Sequence, residues 1–206
     1  MELSLSAFKS RPATDVVSLG PRCATAYNLR KYFGFETAYP FDWWITPESG
    51  LLQFLGTLDL EELYNPELLF RLPDGSSVQH NPTGILLHHE FPRDLGKVEH
   101  PVIENFIDYI EQPRSRSEYL LERFKSLNDP GRRVLFFREG EARSAKLTAE
   151  LERLFPLAEW CLCSLPLIPE DPVNGWKTDF GLWKANLDSV GVQLQSNSRL
   201  PPSARG

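Results

Sequence analysis

The chain has 206 residues, 41 % of them hydrophobic and 24 % charged, with a formal net charge of -6. A single domain of that size buries roughly 70 % of the surface of its unfolded chain and needs no disulfide to fold. The acidic balance argues against a general nucleic-acid partner, because a phosphate backbone requires a concentrated basic face and no long Lys/Arg run is present. No segment has the length of a membrane span or of the apolar core of a signal peptide, so no membrane partner is expected and the expected compartment is the cytoplasm.

The first element is a buried strand near Val16 to Leu19. A Gly20-Pro21 break follows, with Pro21 read as the first helical position, and a helix then runs to Phe33 and stops at Gly34. Cys23 therefore falls in the first turn, where unpaired N–H groups and the positive end of the helix dipole favour a thiolate. Thr46-Pro47-Glu48 opens a short helix ended by Gly56, and Asp59 with Glu62 resembles a capping box for another. Pro73-Asp74-Gly75 is turn chemistry, which makes Leu68 to Leu72 and Val78 to His80 a hairpin.

Ile85 to His88, Val134 to Phe137 and Trp160 to Leu165 read as three further strands. Between them, Val102, Phe106, Ile107 and Ile110 recur at helical spacing, as do Leu120, Leu121, Phe124 and Leu127, and then Leu147, Leu151, Leu154 and Phe155. Strands alternating with amphipathic helices predict an α/β fold, a mainly parallel mixed sheet flanked by helices. Residues 1–195 read as one domain, and the polar, proline-bearing stretch 196–206 as a disordered tail.

Sites in such sheets lie beyond the carboxyl ends of the strands. Cys23, His88-His89-Glu90 and Arg138-Glu139 each follow a predicted strand end, so parallel neighbouring strands would gather a thiol, an imidazole, an arginine and carboxylates on one edge. A cysteine nucleophile needs a base within reach, itself oriented by a third group. Of four histidines, His80 and His100 sit in turn-like surroundings and read as surface residues. His88 and His89 point to opposite sides if the strand continues, so at most one faces Cys23. Asp42, among the aromatics of Pro40-Phe41-Asp42-Trp43-Trp44, is the chosen orienting carboxylate, since a buried carboxylate must find a partner. Arg138 is the candidate contact for an anionic substrate group, or pairs with Glu139 or Glu141, and Asp179 is a helix cap. Cys161 and Cys163 alternate on one side of a strand and read as core thiols, with no metal or other cofactor implied. No P-loop, dinucleotide fingerprint or serine elbow is present.

Taken together, Ser18-Leu19-Gly20-Pro21-Arg22-Cys23, then Ala26, Leu29-Arg30-Lys31 and Pro40-Phe41-Asp42-Trp43, resemble the bacterial domain family catalogued as papain-like cysteine peptidases, the DUF1796 family. The resemblance continues through His89-Glu90-Phe91, where the family carries His-Asp-Phe, through Tyr119, Arg123-Phe124 and Val134 to Arg138, and to Trp176 with Trp183. It implies a hydrolase with Cys23 as nucleophile and His89 as its base. It also implies a papain-like α+β arrangement, a cysteine helix against an antiparallel barrel, in place of the parallel sheet that the periodicity predicts.

The leading expectation is a cysteine-dependent hydrolase or acyl-transfer enzyme acting on a peptide or small-molecule amide or ester. The alternative is a glycan- or nucleotide-sugar-handling transferase or binder without covalent catalysis, with Trp43, Trp44, Trp176 and Trp183 as stacking faces. A third class, a non-catalytic interaction domain, is favoured by a Cys23 sealed from solvent.

Overall fold

In β-strands successive side chains face opposite ways, so a strand covered on both sides reads as an unbroken apolar run. Val134-Leu135-Phe136-Phe137 is such a run, and it lies at the centre of the sheet. The structure, a computed structural model, describes residues 1–140, 144–170 and 177–195. In chain order these form α1 (Leu5–Ser10), β1 (Asp15–Ser18), α2 (Cys23–Phe33), α3 (Glu48–Thr57), α4 (Leu60–Leu63), β2 (Leu69–Arg71), β3 (Val78–His80), α5 (Glu111–Lys125), β4 (Arg133–Glu139), α6 (Ala145–Leu154), β5 (Glu159–Leu165) and α7 (Phe180–Val190).

The protein is an α/β fold. β4 lies between β1 and β5 and is parallel to both, with Val17 opposite Phe136 and Phe137 opposite Cys163. β2 and β3 form a separate antiparallel pair, the predicted hairpin. Helices cover the parallel sheet on both faces. On one, Val17, Val134, Phe136 and Leu162 pack with Phe41, Trp44, Phe54, Phe124 and Phe155. There, edge-on ring contacts from Phe41 to Phe124 and Phe124 to Phe155, with centroids 5.1 and 5.0 Å apart, lock the turn before α3 onto α5 and α6. On the other, Val16, Leu135, Phe137, Cys161 and Cys163 pack with Phe8 of α1, Leu29 of α2 and Trp183 and Leu187 of α7. Both thiols of β5 thus share one face while Leu162 takes the other, as alternation requires. Among the described residues no helix is long and apolar enough to cross a membrane.

Four expectations are corrected. Ile85 to His88 is no strand of the parallel sheet. Its backbone instead bonds β3 (His80 N–H to Ile85 O, 2.9 Å; Leu87 N–H to Val78 O, 2.7 Å), and Leu86 bridges to Ile45. The Val102 to Ile110 periodicity produces only a 3-10 turn, Phe106–Tyr109, because Val102 is held in a bridge to Arg93. Pro21 lies outside α2: its peptide with Gly20 is cis, Arg22 is the N-cap, and Cys23 itself is the first helical residue. His80 is a core residue at 1 % exposure, its Nδ1 2.8 Å from Thr83 Oγ1. Gly34 does close α2 in the left-handed conformation, and Asp59 and Asp179 cap α4 and α7. Trp176 and residues 196–206 lie outside the described residues.

Candidate active site

The site begins with the turn between β1 and α2. Gly20 adopts φ +85°, and a Cβ there would collide with Thr46 Oγ1, so the backbone can approach Thr46 only as glycine. Thr46 N–H donates to Pro21 O at 2.8 Å and its hydroxyl donates to Leu19 O at 3.3 Å. Arg138 completes this flank by donating to Leu19 O and, at 2.9 Å, to Thr46 O. The next residue holds the other flank. Buried Glu139 accepts from Arg22 Nη2 at 2.5 Å and from Ile168 N–H at 2.9 Å through one oxygen, and from Thr25 Oγ1 at 2.8 Å through the other. Two consecutive residues at the carboxyl end of β4 therefore grip the Cys23 turn from both sides, as the sheet rule anticipates.

Cys23 lies 9 % exposed against a pocket of about 550 Å³. Tyr27, Arg30 and Lys31 share that wall because they follow Cys23 by four, seven and eight residues along α2, the spacing of one helical face. Asp42 and Trp43 form the facing wall, and Lys177 reaches the rim, its ammonium 5.5 Å from the Tyr27 ring centre. Asn28 ties that rim to α2 by donating to Lys177 O at 3.0 Å. Burial pushes the Cys23 thiol above its ordinary range. The N–H groups of Ala24 and Cys23 and the Arg22 charge pull the other way, and Glu170 adds to the rise. The helix terminus thus moderates the desolvation cost without overcoming it.

Asp42 occupies a 3-10 turn, Pro40–Trp43, and is 3 % exposed. Its carboxylate accepts from Tyr39 N–H at 2.8 Å and from Arg30 Nη2. Burial pushes its pKa up to about 6 against the pull of Arg30 and the Tyr39 N–H. Arg30 lies over the Trp43 ring at 5.3 Å, and Trp43 meets His89 edge-on at 5.9 Å. His89 in turn meets His88 edge-on at 4.6 Å. A continuous row, Asp42, Arg30, Trp43, His89, His88, runs from the Cys23 pocket to the histidine pair. Desolvation, with His88, Arg93 and Arg116 nearby, lowers the His89 pKa to about 4. Glu90 turns inward to pair with Arg116 of α5, which anchors the His89 turn rather than the ring.

Of the residues chosen from sequence, Cys23 and Asp42 line one pocket, and His89 stands one ring away behind Trp43. Arg138 directs its guanidinium at the carbonyls of Leu19 and Thr46 beneath the Cys23 turn. Asp42 orients Arg30, not the imidazole. The two histidine rings touch, where a continuing strand would have pointed them apart, because residues 88–90 form a turn. Tyr27 and Arg30 were missed, although their helical spacing from Cys23 is visible in the chain. Thr46 and the grip of Glu139 carry no local signal. Of the three candidate stacking tryptophans among the described residues, Trp44 and Trp183 are fully buried core residues and Trp43 lines the pocket. No group of three or more metal-ligating side chains assembles among the described residues. No family model, curated protein or solved structure matches the chain.

Proposed function

We propose that the protein is a cysteine-dependent hydrolase acting on an amide or ester, as the resemblance to the papain-like DUF1796 family also suggests. The observation that carries this reading is the placement of Cys23 as the first residue of α2, its sulfur beside main-chain N–H groups and against a pocket walled by aromatic and cationic side chains. Cys23 Sγ attacks the carbonyl carbon as its proton passes to His89. First-turn N–H groups hold the oxyanion, and the imidazolium returns the proton to the leaving amine or alcohol. Water, deprotonated by His89, then cleaves the thioester and frees the thiol. His89 is neutral at pH 7 and able to accept a proton. Trp43 lines the Cys23 pocket and meets His89 edge-on, so it is the ring the two groups share.

The test is p-nitrophenyl acetate hydrolysis with rapid mixing. Wild type gives a burst of one p-nitrophenolate per chain and an acetylated Cys23 peptide. Cys23→Ala and Cys23→Ser abolish both, and His89→Asn slows acylation 10²-fold or more. A burst that survives Cys23→Ala overturns the reading. The second reading, a glycan or nucleotide-sugar binder, draws on Trp43 and Tyr27 lining the same pocket. It requires ligand binding and turnover to survive Cys23→Ser.

A further inference from the structure

We propose that Glu139 is a positioning residue for Cys23: its buried carboxylate grips Arg22 and Thr25, which flank Cys23 in the chain, fixing the first turn of α2 and the charge presented to the thiol. The proposal rests on the reading of Cys23 as nucleophile, but its test does not require turnover.

A carboxylate without exposed surface is tolerated only when its lone pairs are satisfied and a cation is near. Glu139 meets both conditions. Its side chain is 0 % exposed, and it accepts from the Arg22 guanidinium, the Ile168 N–H and the Thr25 hydroxyl. Arg22 donates onward to Ile168 O at 2.6 Å, so the loop after β5 is tied to the same point. Arg22 is the N-cap and Thr25 the third residue of α2, and the side-chain cap hydrogen bond that a Ser, Thr or Asp N-cap would supply is not made. Glu139 holds the N-cap and third-residue side chains, not the main-chain N–H groups of the helix, and does so from 114 positions away along the chain, counted from Thr25.

This placement has an electrostatic consequence. Several charged groups surround the sulfur. Arg22 and Glu139 lie beneath the helix start, and Glu170 lies on the loop after β5. On the pocket side stand Arg30 paired with Asp42, Lys31, Glu36, Lys177 and the Tyr27 phenol. Within this set, Arg22 favours the thiolate, and Glu139 both orients Arg22 and offsets part of its charge. Removing the carboxylate charge while keeping its hydrogen-bonding shape shifts the balance toward thiolate. Removing the cation does the reverse. A carboxylate serving only to brace the fold leaves the ionisation of Cys23 unmoved in Glu139→Gln.

The experiment is the pH dependence of iodoacetamide alkylation of the intact protein, read as the rate of modification of the Cys23 peptide, with thermal unfolding of each variant as control. Glu139→Gln is expected to lower the midpoint by about one pH unit, speeding labelling at pH 7 about tenfold. Arg22→Gln removes the cation beside both the sulfur and the buried carboxylate, and is expected to raise the midpoint by a similar amount and slow labelling correspondingly. Glu139→Ala is expected to lose the fixed turn as well, so that its limiting rate at high pH departs from wild type by threefold or more. A Glu139→Gln midpoint within 0.2 pH units of wild type, or above it, overturns the proposal. If Glu139→Gln does not fold, Thr25→Val decides: it removes the hydroxyl that Glu139 holds, and a limiting alkylation rate within threefold of wild type overturns the proposal. The hydrolase reading fails separately, through a burst that persists in Cys23→Ala.

Discussion

Asp42 offers a stability measurement whose sign follows from the geometry. The carboxylate is 3 % exposed and its folded pKa stands at about 6, against an ordinary 3.8. Arg30 and the Tyr39 N–H offset the cost of burying the charge but do not cancel it. A folded pKa above the unfolded one means that the native state binds the proton more tightly. The stability Asp42 contributes is therefore fully present below about pH 4 and is lost as pH rises through 6. A displacement of about two pH units corresponds to about 3 kcal/mol. Asp42→Asn has no proton to bind, so urea unfolding of both proteins at pH 4, 5, 6 and 7 isolates the group by difference. Wild type should lose about 2.4 kcal/mol relative to the variant between pH 4 and 7, most of it below pH 6. A difference constant within 0.5 kcal/mol refutes the reasoning. A wild type that gains stability with pH refutes it too, since that is the behaviour of a carboxylate dominated by its guanidinium partner.

Three other perturbations probe the architecture around the sulfur. Gly20→Ala combines positive φ with a collision against Thr46 Oγ1, and should lower stability by about 2 kcal/mol or more in urea unfolding; a loss below 0.5 kcal/mol contradicts the assigned conformation. Arg138→Met removes the bonds to Leu19 O and Thr46 O and should cost about 2–4 kcal/mol, whereas unchanged stability with a raised KM would return Arg138 to substrate contact. Trp43→Ala removes the ring between pocket and imidazole and should speed Cys23 alkylation at pH 7 severalfold; unaltered labelling argues against Trp43 as a barrier.

Much of the fold was legible because it was written in local pattern. The apolar runs at Val134 and Trp160 are long and two-sided, and Gly34, Asp59 and Asp179 act through neighbours within a few residues. The segment Ile85 to His88 has the same composition as a sheet strand, yet its partners are β3 and Ile45, a choice made by tertiary packing that no window of sequence contains. The Cys23 turn divides in the same way. Its position after β1 could be read directly, and the helical face linking it to Tyr27 and Arg30 could have been. The grip of Arg138 and Glu139 joins residues more than a hundred positions apart and exists only because β1 and β4 pair in parallel.

The electrostatics of the site lead to a distinctive pH profile. At pH 7 burial keeps the Cys23 thiol protonated, and desolvation with neighbouring cations keeps His89 neutral. On the proposed mechanism the resting pair carries no charge, so the proton moves as substrate is attacked, and the base is competent wherever His89 is unprotonated. The acid limb of kcat/KM for p-nitrophenyl acetate is therefore expected at about pH 4, well below that of an ordinary histidine. Asp42, titrating at about 6 in the same pocket, is the competing source of an acid limb. The two are separable, because a limb owned by His89 persists at about 4 in Asp42→Asn and disappears in His89→Asn. An acid limb at 6 that vanishes with Asp42→Asn transfers the base role from the imidazole to the carboxylate, and places proton transfer on the Cys23 side of Trp43.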